Sequence, residues 1–471
     1  MATENTHFGA ERIAEMLSGC KSIYFIGIGG INMSSLAHLS FVQGYRVGGS
    51  DRAESELTRR LSSCGITVNY SHDAENIEDY DAAVYTVAIS PDNPEYKRAV
   101  ERGIPCISRA DYLGYIMTSY KRRIGVSGMH GKSTCTSMCA LTFMMADKDP
   151  TVLSGAELLQ MDGAYRIGKG DSFIFEACEY MDSFLDFNPN IAVVLNIEMD
   201  HVDYFKSMEH IRSSYGKYMG IAGKQGIAVI NGDDNEVLLA AKDFCGTRIS
   251  FGINSEDVDF RAVNIENKGG RYEFDILKRG EVLCKIHLGV SGYHNIYNAL
   301  ATAAVADTCG IDGEAIKNGL ESFSGAKRRM EYKGKMAGAE IYDDYAHHPT
   351  EIKATLEGAR GLTDKKLWCV FQSHTYSRTK ALLDEFSQSF GKADRVIIID
   401  IYPARETDTL GMSPQVMAMR IGGGAIACPK MEDAARLLLD GLEEGDVAII
   451  MGAGNINRMF DILKDHIKKD T

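Results

Sequence analysis

Short apolar runs alternate with helical patterns along most of the chain. The runs 23–26, 191–197 and 367–371 consist almost entirely of apolar and aromatic residues, which is typical of strands buried on both faces of a parallel sheet. Each run is followed by glycine or polar residues and then by a helical pattern. This repeated strand–loop–helix order predicts an α/β protein with mainly parallel sheets.

One region departs from this order. Residues 251–289 alternate between apolar and polar positions around a Lys-Gly-Gly turn at 268–270, which predicts antiparallel hairpins.

At 471 residues the chain is longer than one ordinary domain. We expect three successive α/β units, at residues 1–119, 120–324 and 325–471.

Composition narrows the class of protein. The chain is 45% hydrophobic and 25% charged, with eleven cysteines and a formal net charge of −14. No apolar run is long enough to cross a bilayer, and the polar start lacks the apolar core of a secretion signal. The absence of a C-x-x-C pair fits reduced thiols, and the negative charge argues against a general nucleic-acid binder. We therefore expect a cytoplasmic protein without a membrane or nucleic-acid partner.

The clearest chemical signal is a glycine-bracketed loop between a predicted strand and a predicted helix. The loop consists of Gly128, Met129, His130, Gly131, Lys132, Ser133 and Thr134. Its glycines let backbone N–H groups approach a phosphate, Lys132 can reach the outer phosphates, and Ser133 or Thr134 can hold Mg²⁺. Val126 stands where the full phosphate-loop pattern has glycine, so a purely structural turn is the alternative.

A second glycine turn follows the first predicted strand. Gly27, Gly29 and Gly30 precede a helical pattern, and Asp51 ends the next strand. This is most of a dinucleotide fingerprint, although Asn32 replaces its third glycine. The turn could bind a diphosphate or could only pack. A nicotinamide-dependent oxidoreductase would explain the turn but would leave the loop at Lys132 unexplained.

Acidic residues and histidine follow two strong strand patterns in the central segment. Glu176 and Glu179 come after the first strand, and Glu198, Asp200 and His201 come after the second. Strand ends of a parallel sheet meet at one edge, so these groups could hold Mg²⁺ beside a phosphate. The alternative is that they are solvated loop residues.

Two later strings also carry candidate chemistry. Asn295 and Asn298 could hydrogen-bond a nucleotide base or could cap a helix. The string from Ile341 to Glu351 places two acids, a tyrosine and two histidines between a strand and a probable helix. It lacks the H-E-x-x-H spacing of a zinc helix.

The ordered motifs resemble those of the Mur ligase family. The resemblance covers about residues 20 to 458 and rests on nine strings, which are GIGGINMSSLA, GMHGKST, EACEY, NIEMDHVDYF, GYHNIYNALA, GAKRRME, DDYAHHPTEI, QSHTYSRTK and GAGNI. They look most like the branch that adds L-alanine to UDP-N-acetylmuramate. The resemblance implies a Rossmann-like N-terminal domain for the UDP-sugar, a central P-loop ATPase domain and a Rossmann-like C-terminal domain for the amino acid. It also implies ATP, Mg²⁺, an acyl-phosphate intermediate and a role in cytoplasmic peptidoglycan synthesis.

The resemblance also implies roles for individual residues. The ATP residues would be the phosphate-loop residues 128–134 together with His294, Asn295, Asn298, Arg329 and Asp344. Ser133, Glu176 and His201 would hold Mg²⁺, and Gly29, Gly30 and Asp51 would face the UDP-sugar. Lys132, Glu176, His201, Asp344, His347 and Arg378 would act in catalysis, with Tyr345, His347 and Arg378 receiving the amino acid.

Some positions depart from the commonest family motifs. Thr375 stands where many relatives have a second arginine. Many relatives outside the alanine-adding branch carry a carbamylated lysine. Its place in this sequence falls on Tyr215, and Lys217 is predicted on nearly the opposite helix face. A ligase for another amino acid or peptide, and a nucleotide-dependent regulator without turnover, remain alternatives.

Overall fold

The computed structural model describes residues 3–161, 163–201, 204–404 and 406–468. Val202 and Asp203, which belong to one of the acidic strings, lie outside the described residues. Three separate sheets follow one another along the chain. The expectation of an α/β protein with mainly parallel strands is confirmed.

The first sheet is parallel throughout, with the strand order β3-β2-β1-β4-β5. This is the order of the first five strands of a Rossmann-type sheet, in which ligands bind beyond the carboxyl ends of the strands. The strands and helices of this unit are β1 Ser22–Ile26, β2 Arg46–Ser50, β3 Thr67–Asn69, β4 Ala82–Tyr85, β5 Cys106–Ser108, α1 Ala10–Met16, α2 Ile31–Val42, α3 Glu56–Ser63, α4 Pro94–Glu101 and α5 Arg109–Met117.

The second sheet has ten strands in the order β15-β14-β13-β12-β11-β10-β6-β9-β7-β8. Its strands and helices are β6 Arg122–Ser127, β7 Thr151–Leu158, β8 Gly163–Arg166, β9 Ser172–Glu176, β10 Ile191–Val194, β11 Ile227–Asn231, β12 Thr247–Gly252, β13 Phe260–Lys268, β14 Arg271–Lys278, β15 Glu281–Ser291, α6 Lys132–Met145, α7 Met208–Ile221, α8 Asn235–Ala240, α9 His294–Thr308 and α10 Gly313–Ser322. The strands β13, β14 and β15 form the expected antiparallel hairpins. A further antiparallel pair, β7 with β8, was not foreseen.

The third sheet has the order β16-β17-β21-β18-β19-β20, with an antiparallel β16 at one edge. Its strands and helices are β16 Glu331–Met336, β17 Ala339–Asp344, β18 Leu367–Phe371, β19 Arg395–Ile398, β20 Ile426–Ala427, β21 Val447–Met451, α11 Pro349–Arg360, α12 Tyr376–Ala381, α13 Leu383–Ser387, α14 Pro414–Ile421, α15 Met431–Gly441 and α16 Met459–Leu463. Short 3₁₀ helices lie at Ala74–Ile77, Leu159–Met161, Tyr180–Asp186 and Ile456–Arg458.

Hydrophobic packing joins the first two units more closely than it joins the third. One buried cluster contains Phe25 of β1 together with Phe173 of β9 and Tyr215 of α7. The buried clusters that contain strands of the third sheet contain no strand of the second sheet in the described part of the chain. The third unit therefore meets the central unit mainly through polar residues. Among the helices that are described, none combines the length and apolar character that crossing a membrane requires.

Candidate active site

The glycine-bracketed loop lies between β6 and α6, as the sequence predicts. Gly128 and Gly131 have φ angles of 146° and 82°, which a residue with a side chain rarely adopts. A Cβ atom on Gly131 would also lie 2.6 Å from Asn298 Oδ1. No side chain caps α6, and its first turn contains no acid. The N–H groups and the positive end of the helix dipole are therefore available to an anion.

Lys132 makes the strongest charged contact of the loop. Its Nζ donates to Gly128 O at 2.6 Å and lies 3.0 Å from Glu179 Oε2. Burial disfavours the ammonium, but the Glu179 carboxylate outweighs this effect and raises the pKa of Lys132 above its usual value. The loop therefore presents a permanent positive charge, which Glu179 balances in this structure.

Two groups predicted to bind metal lie on either side of this ion pair. Ser133 Oγ donates to Glu176 Oε2 at 2.7 Å, and the Gly155 N–H donates to the same oxygen at 2.8 Å. On the other side, His201 Nε2 is 3.1 Å from Glu179 Oε1. Glu179 thus links Lys132 to His201.

A cavity of about 770 Å³ opens from the phosphate loop towards the third unit. Eight of the residues predicted to bind ATP line it, and these are His130, Gly131, Thr134, His294, Asn295, Asn298, Arg329 and Asp344. Its size suits a nucleotide, since ligand pockets usually measure about 300–1,000 Å³. The cavity therefore brings together residues that are up to about two hundred positions apart in the sequence.

Asn295 and Asn298 lie within the first turns of α9, which begins at His294. Asn295 Nδ2 donates to Ser291 O at 2.7 Å, and Asn298 Nδ2 donates to Asn295 Oδ1 at 2.9 Å. The N-cap residue Tyr293 makes no side-chain cap. The helix-capping interpretation of the two asparagines is therefore wrong. His294, at the start of α9, lines the same cavity.

Asp344 ends β17 and faces the same cavity. Its carboxylate accepts hydrogen bonds from the N–H groups of Met330 and Ala346 at 2.8 and 2.9 Å. Burial raises the pKa of Asp344 above its usual value. The Arg329 charge and these hydrogen bonds act in the opposite direction but do not outweigh burial. The Arg329 guanidinium lies 5.1 Å from the centre of the Tyr345 ring. These contacts fix Asp344 and Arg329 on the side of the cavity that belongs to the third unit.

Arg378 reaches from α12 to the central unit. Its Nε donates to Asp200 Oδ1 at 3.1 Å, and its Nη1 lies 3.4 Å from His374 Nδ1. The side chains of Arg378 and Asp200 are both buried. Burial opposes ionisation of the Asp200 carboxyl, but the Arg378 charge outweighs this effect and holds the pKa of Asp200 well below its usual value. Thr375 caps α12 by accepting from the Arg378 N–H at 3.4 Å. Its side chain therefore helps to hold the helix that carries Arg378.

His347 lies beside this pair, with its ring 6.2 Å from that of His374. Its Nδ1 is 3.3 Å from Glu351 Oε2 and 3.1 Å from Tyr345 O. Burial outweighs the nearby carboxylate and lowers the pKa of His347 to about 4. The imidazole is therefore neutral near pH 7 and can exchange hydrogen bonds without adding charge.

His130 of the phosphate loop connects two acidic residues from different units. Its Nε2 lies 3.3 Å from Glu198 Oε2, and its Nδ1 lies 3.2 Å from Glu351 Oε1. Burial disfavours the cation, but hydrogen bonds to Glu198 and Glu351 outweigh it and raise the pKa of His130 to about 9. The loop is thus tied to α11 of the third unit.

The glycine turn of the first unit lies apart from this cavity. The Gly29 N–H donates to Asp51 Oδ2 at 2.8 Å, and a Cβ on Gly29 would lie 2.7 Å from that oxygen. Gly30 precedes α2, whose first turn contains no acid and whose N-terminus has no side-chain cap. Asp51 therefore braces the turn, while the N-terminus of α2 remains open to an anion.

Several residues at this site form ion pairs that the sequence did not predict. Glu179, Glu198 and Asp200 were predicted only as possible Mg²⁺ ligands at strand ends, and Glu351 only as part of its string. The structure shows that each one pairs with a predicted site residue. The three-residue spacing from Glu176 to Glu179, just after a strand, was the available signal for Glu179.

Three family models match consecutive parts of the chain. The model described as "Mur ligase family, catalytic domain" matches residues 22–121, "Mur ligase middle domain" matches residues 126–306, and "Mur ligase, glutamate ligase domain" matches residues 328–454.

Similar proteins match over nearly the full length. The UDP-N-acetylmuramate–L-alanine ligase of Acetivibrio thermocellus is 46% identical over 450 residues, covering 94% of this chain and 96% of the relative. The enzyme of the same name from Clostridium novyi is 43% identical, covering 94% and 97%. The crystal structure of UDP-N-acetylmuramate–alanine ligase from Thermotoga maritima has a TM-score of 0.78 at 27% identity, covering 94% and 98%.

Proposed function

The chain belongs to the Mur ligase family, and we propose that it is the ATP-dependent ligase that joins L-alanine to the carboxylate of UDP-N-acetylmuramate in peptidoglycan synthesis. The main support for this proposal is that the phosphate loop and its neighbouring residues contact side chains of the third unit. His130 contacts Glu351, and Arg378 contacts Asp200 next to His201. A nucleotide and an amino acid could therefore react at one place.

The reaction has two steps in this proposal. The muramate carboxylate attacks the γ-phosphate of ATP, which gives an acyl phosphate and ADP. The alanine amine then attacks the acyl carbon, and phosphate leaves through a tetrahedral intermediate. Phosphoryl transfer depends mainly on positioning and charge neutralisation. Lys132 and the N–H groups at the start of α6 would supply both to the phosphates.

Mg²⁺ fits the oxygen donors beside the loop. Ser133 Oγ and Glu176 Oε2 are 2.7 Å apart, close to the spacing of about 2.9 Å that neighbouring ligands have around an octahedral Mg²⁺. We infer that these two residues, with His201, hold the ion. When bound, Mg²⁺ would neutralise charge on the phosphate oxygens.

We assign the nucleotide and the amino acid to different faces of the site. Asn295, Asn298, Arg329 and Asp344 line the cavity and would hold ATP. Arg378 would pair with the alanine carboxylate, since its fork of N–H donors matches a carboxylate. Tyr345 and His347 would lie beside the bound amino acid.

The first unit would receive the UDP end of the substrate. Gly29 and Gly30 precede the open N-terminus of α2, which suits a diphosphate. We propose the unit boundaries after residues 119 and 324, because the three sheets span 22–108, 122–291 and 331–451.

One experiment tests the proposal directly. Phosphate release would be measured with ATP, Mg²⁺, UDP-N-acetylmuramate and one amino acid at a time. We expect release with L-alanine and little with larger or acidic amino acids. Preference for another amino acid or for a peptide would assign the chain to another member of the family. Nucleotide binding without release under any condition would favour a regulator.

A further inference from the structure

A second group of possible metal ligands lies at the junction of the central and third units. It consists of His130, Glu198 and His348, each of which offers one ligand atom within 4.8 Å of the other two. His130 comes from the phosphate loop, Glu198 follows β10, and His348 precedes α11. The three residues do not overlap with Ser133, Glu176 and His201, to which we assign Mg²⁺.

The distances within this group suit a small tetrahedral ion. His130 Nε2 and Glu198 Oε2 are 3.3 Å apart. Two ligands of a tetrahedral Zn²⁺ with bonds of 2.0–2.2 Å are about 3.4 Å apart. All three ligand atoms lie within 4.8 Å of one another, so a movement of at most about 1.4 Å would bring His348 into the same range. The His130 side chain is 14% exposed and His348 is 5% exposed, so an ion that binds here would displace little water.

Outer contacts already orient both imidazole rings. His130 Nδ1 lies 3.2 Å from Glu351 Oε1, and His348 Nε2 lies 3.3 Å from Met199 O. His348 Nδ1 accepts the Thr350 N–H at 3.4 Å, a long cap of α11 that a bound ion would displace. In zinc sites a carboxylate or a backbone carbonyl usually holds the ring nitrogen that does not bind the metal. Glu198 is held as well, because its Oε2 accepts from Thr350 Oγ1 at 2.6 Å.

The chemistry of the donors favours a transition metal over Mg²⁺. Two imidazoles and one carboxylate match zinc sites that keep a fourth position open, whereas Mg²⁺ prefers oxygen ligands. His130 and Glu198 also line the large cavity, so a fourth ligand could come from water or from a bound molecule. The carboxylates of Glu198 and Glu351 lie 3.3 and 3.2 Å from the two ring nitrogens of His130, so they favour a positive charge at this position.

We propose that His130, Glu198 and His348 form a binding site for Zn²⁺ or a similar first-row transition ion. The ion would lie between His130 Nε2 and Glu198 Oε2, which are 3.3 Å apart in this structure. Because His130 and His348 belong to different units, a bound ion would clamp the phosphate loop to the segment that precedes α11. This site is separate from the Mg²⁺ chemistry of the proposed reaction.

Cobalt provides a direct test, since four-coordinate Co²⁺ absorbs visible light strongly and replaces Zn²⁺ in such sites. The full chain, freed of any affinity tag and treated with a chelator, would be titrated with Co²⁺ and then with Zn²⁺. We expect one equivalent of four-coordinate Co²⁺, which Zn²⁺ displaces. His348→Gln and Glu198→Gln should each abolish this absorption. Glu351→Gln removes the carboxylate beside His130 Nδ1 but none of the proposed ligands, and it should weaken binding by about tenfold to a hundredfold.

Two control variants separate this site from its neighbours. His374→Gln removes another partly buried imidazole from the third unit and should bind Co²⁺ as the wild type does. His201→Ala removes a proposed Mg²⁺ ligand and should also keep the absorption. Circular dichroism would verify folding, and Glu198→Gln is the safer variant because its side chain is 37% exposed.

Three results would overturn the proposal. The first is a wild-type protein that binds no four-coordinate Co²⁺. The second is a folded Glu198→Gln variant with the wild-type spectrum and stoichiometry. The third is loss of binding in His201→Ala with retention in His348→Gln, which would move the ion to the other group. None of these results would bear on ligase activity, which the phosphate-release assay measures separately.

Discussion

Lys132 and Glu179 form a buried ion pair at the centre of the proposed reaction. Their side chains are 13% and 1% exposed. A phosphate that enters the loop would compete with Glu179 for the same ammonium. The pair therefore keeps the charge of Lys132 balanced until a nucleotide binds.

We expect Lys132→Ala to lower turnover at saturating ATP by about a hundredfold or more, because a preorganised charge is lost at a site of phosphoryl transfer. It should also destabilise the fold by about 3 kcal/mol, because Glu179 loses a partner in a buried pair. Phosphate release and thermal denaturation would measure the two effects.

The double variant Lys132→Ala/Glu179→Gln separates these effects. Removing the uncompensated carboxylate should restore much of the stability but none of the turnover. Near-normal turnover in either variant would remove the loop from the mechanism.

A second prediction at the residue scale concerns Mg²⁺. Glu176→Gln or His201→Ala should raise the Mg²⁺ concentration needed for half-maximal activity, because each removes a proposed ligand. Glu209→Gln changes an exposed carboxylate at the start of α7 and should leave this concentration unchanged. Identical Mg²⁺ titrations in all these proteins would refute the assignment.

Arg378 carries the prediction for the amino-acid site. Arg378→Ala should raise the KM for alanine by about tenfold to a hundredfold, because this factor corresponds to the free energy of a hydrogen bond to a charged group. It should change the KM for ATP much less. Initial rates at varied alanine and varied ATP would show the difference.

Asp200 supplies the control for Arg378. The variant Arg378→Ala leaves Asp200 buried and unpaired, so stability should fall. Adding Asp200→Asn should recover stability while the KM for alanine stays high. Equal changes in both KM values would identify a purely structural arginine.

At the scale of elements, the orientation of α7 determines whether a lysine is available for carbamylation at the site. Tyr215 is buried, and burial raises its pKa well above the usual value, whereas Lys217 is exposed. The two side chains lie on opposite faces, as the helical spacing predicts. A phenol cannot form a carbamate, and Lys217 points away from the site.

Activity should therefore not depend on dissolved bicarbonate. Rates in buffer freed of CO₂ should equal rates with added bicarbonate, and Lys217→Ala should cost little. A rate that falls without CO₂ and recovers with bicarbonate would show that another lysine is carbamylated.

At the scale of the whole molecule, the three units are joined unequally. The first two share a hydrophobic cluster, whereas the third is held to the central unit mainly by polar contacts such as Arg378 with Asp200 and His348 with Met199. Interfaces of this kind between units are usually the weaker ones.

We expect calorimetry to show two unfolding transitions, with the third unit unfolding first. Hydrogen exchange should accordingly be faster in residues 331–451 than in the second sheet. A nonhydrolysable ATP analogue at about a hundred times its Kd should stabilise the lower transition by about 2.7 kcal/mol, since both units line the cavity. A single transition without ligand would contradict this division.

Patterns in the sequence were sufficient for the elements with strong local signals. The strand at 367–371, the turn at Gly128–Gly131 and the helix from Lys132 all follow from apolar runs and glycine positions. The β7–β8 pair was missed because β8, the edge strand, has only four residues and carries a weak periodic signal.

The sequence by itself determined the α/β class, the phosphate loop and the family, because these depend on local spacing and on the order of motifs. Only the tertiary structure decided which charges meet. It pairs Lys132 with Glu179, Arg378 with Asp200, and His130 with Glu198. These partners are between 47 and 178 positions apart. No local pattern links them, because their contacts arise from the way the strands order themselves in the sheets and from how the third unit packs on the second.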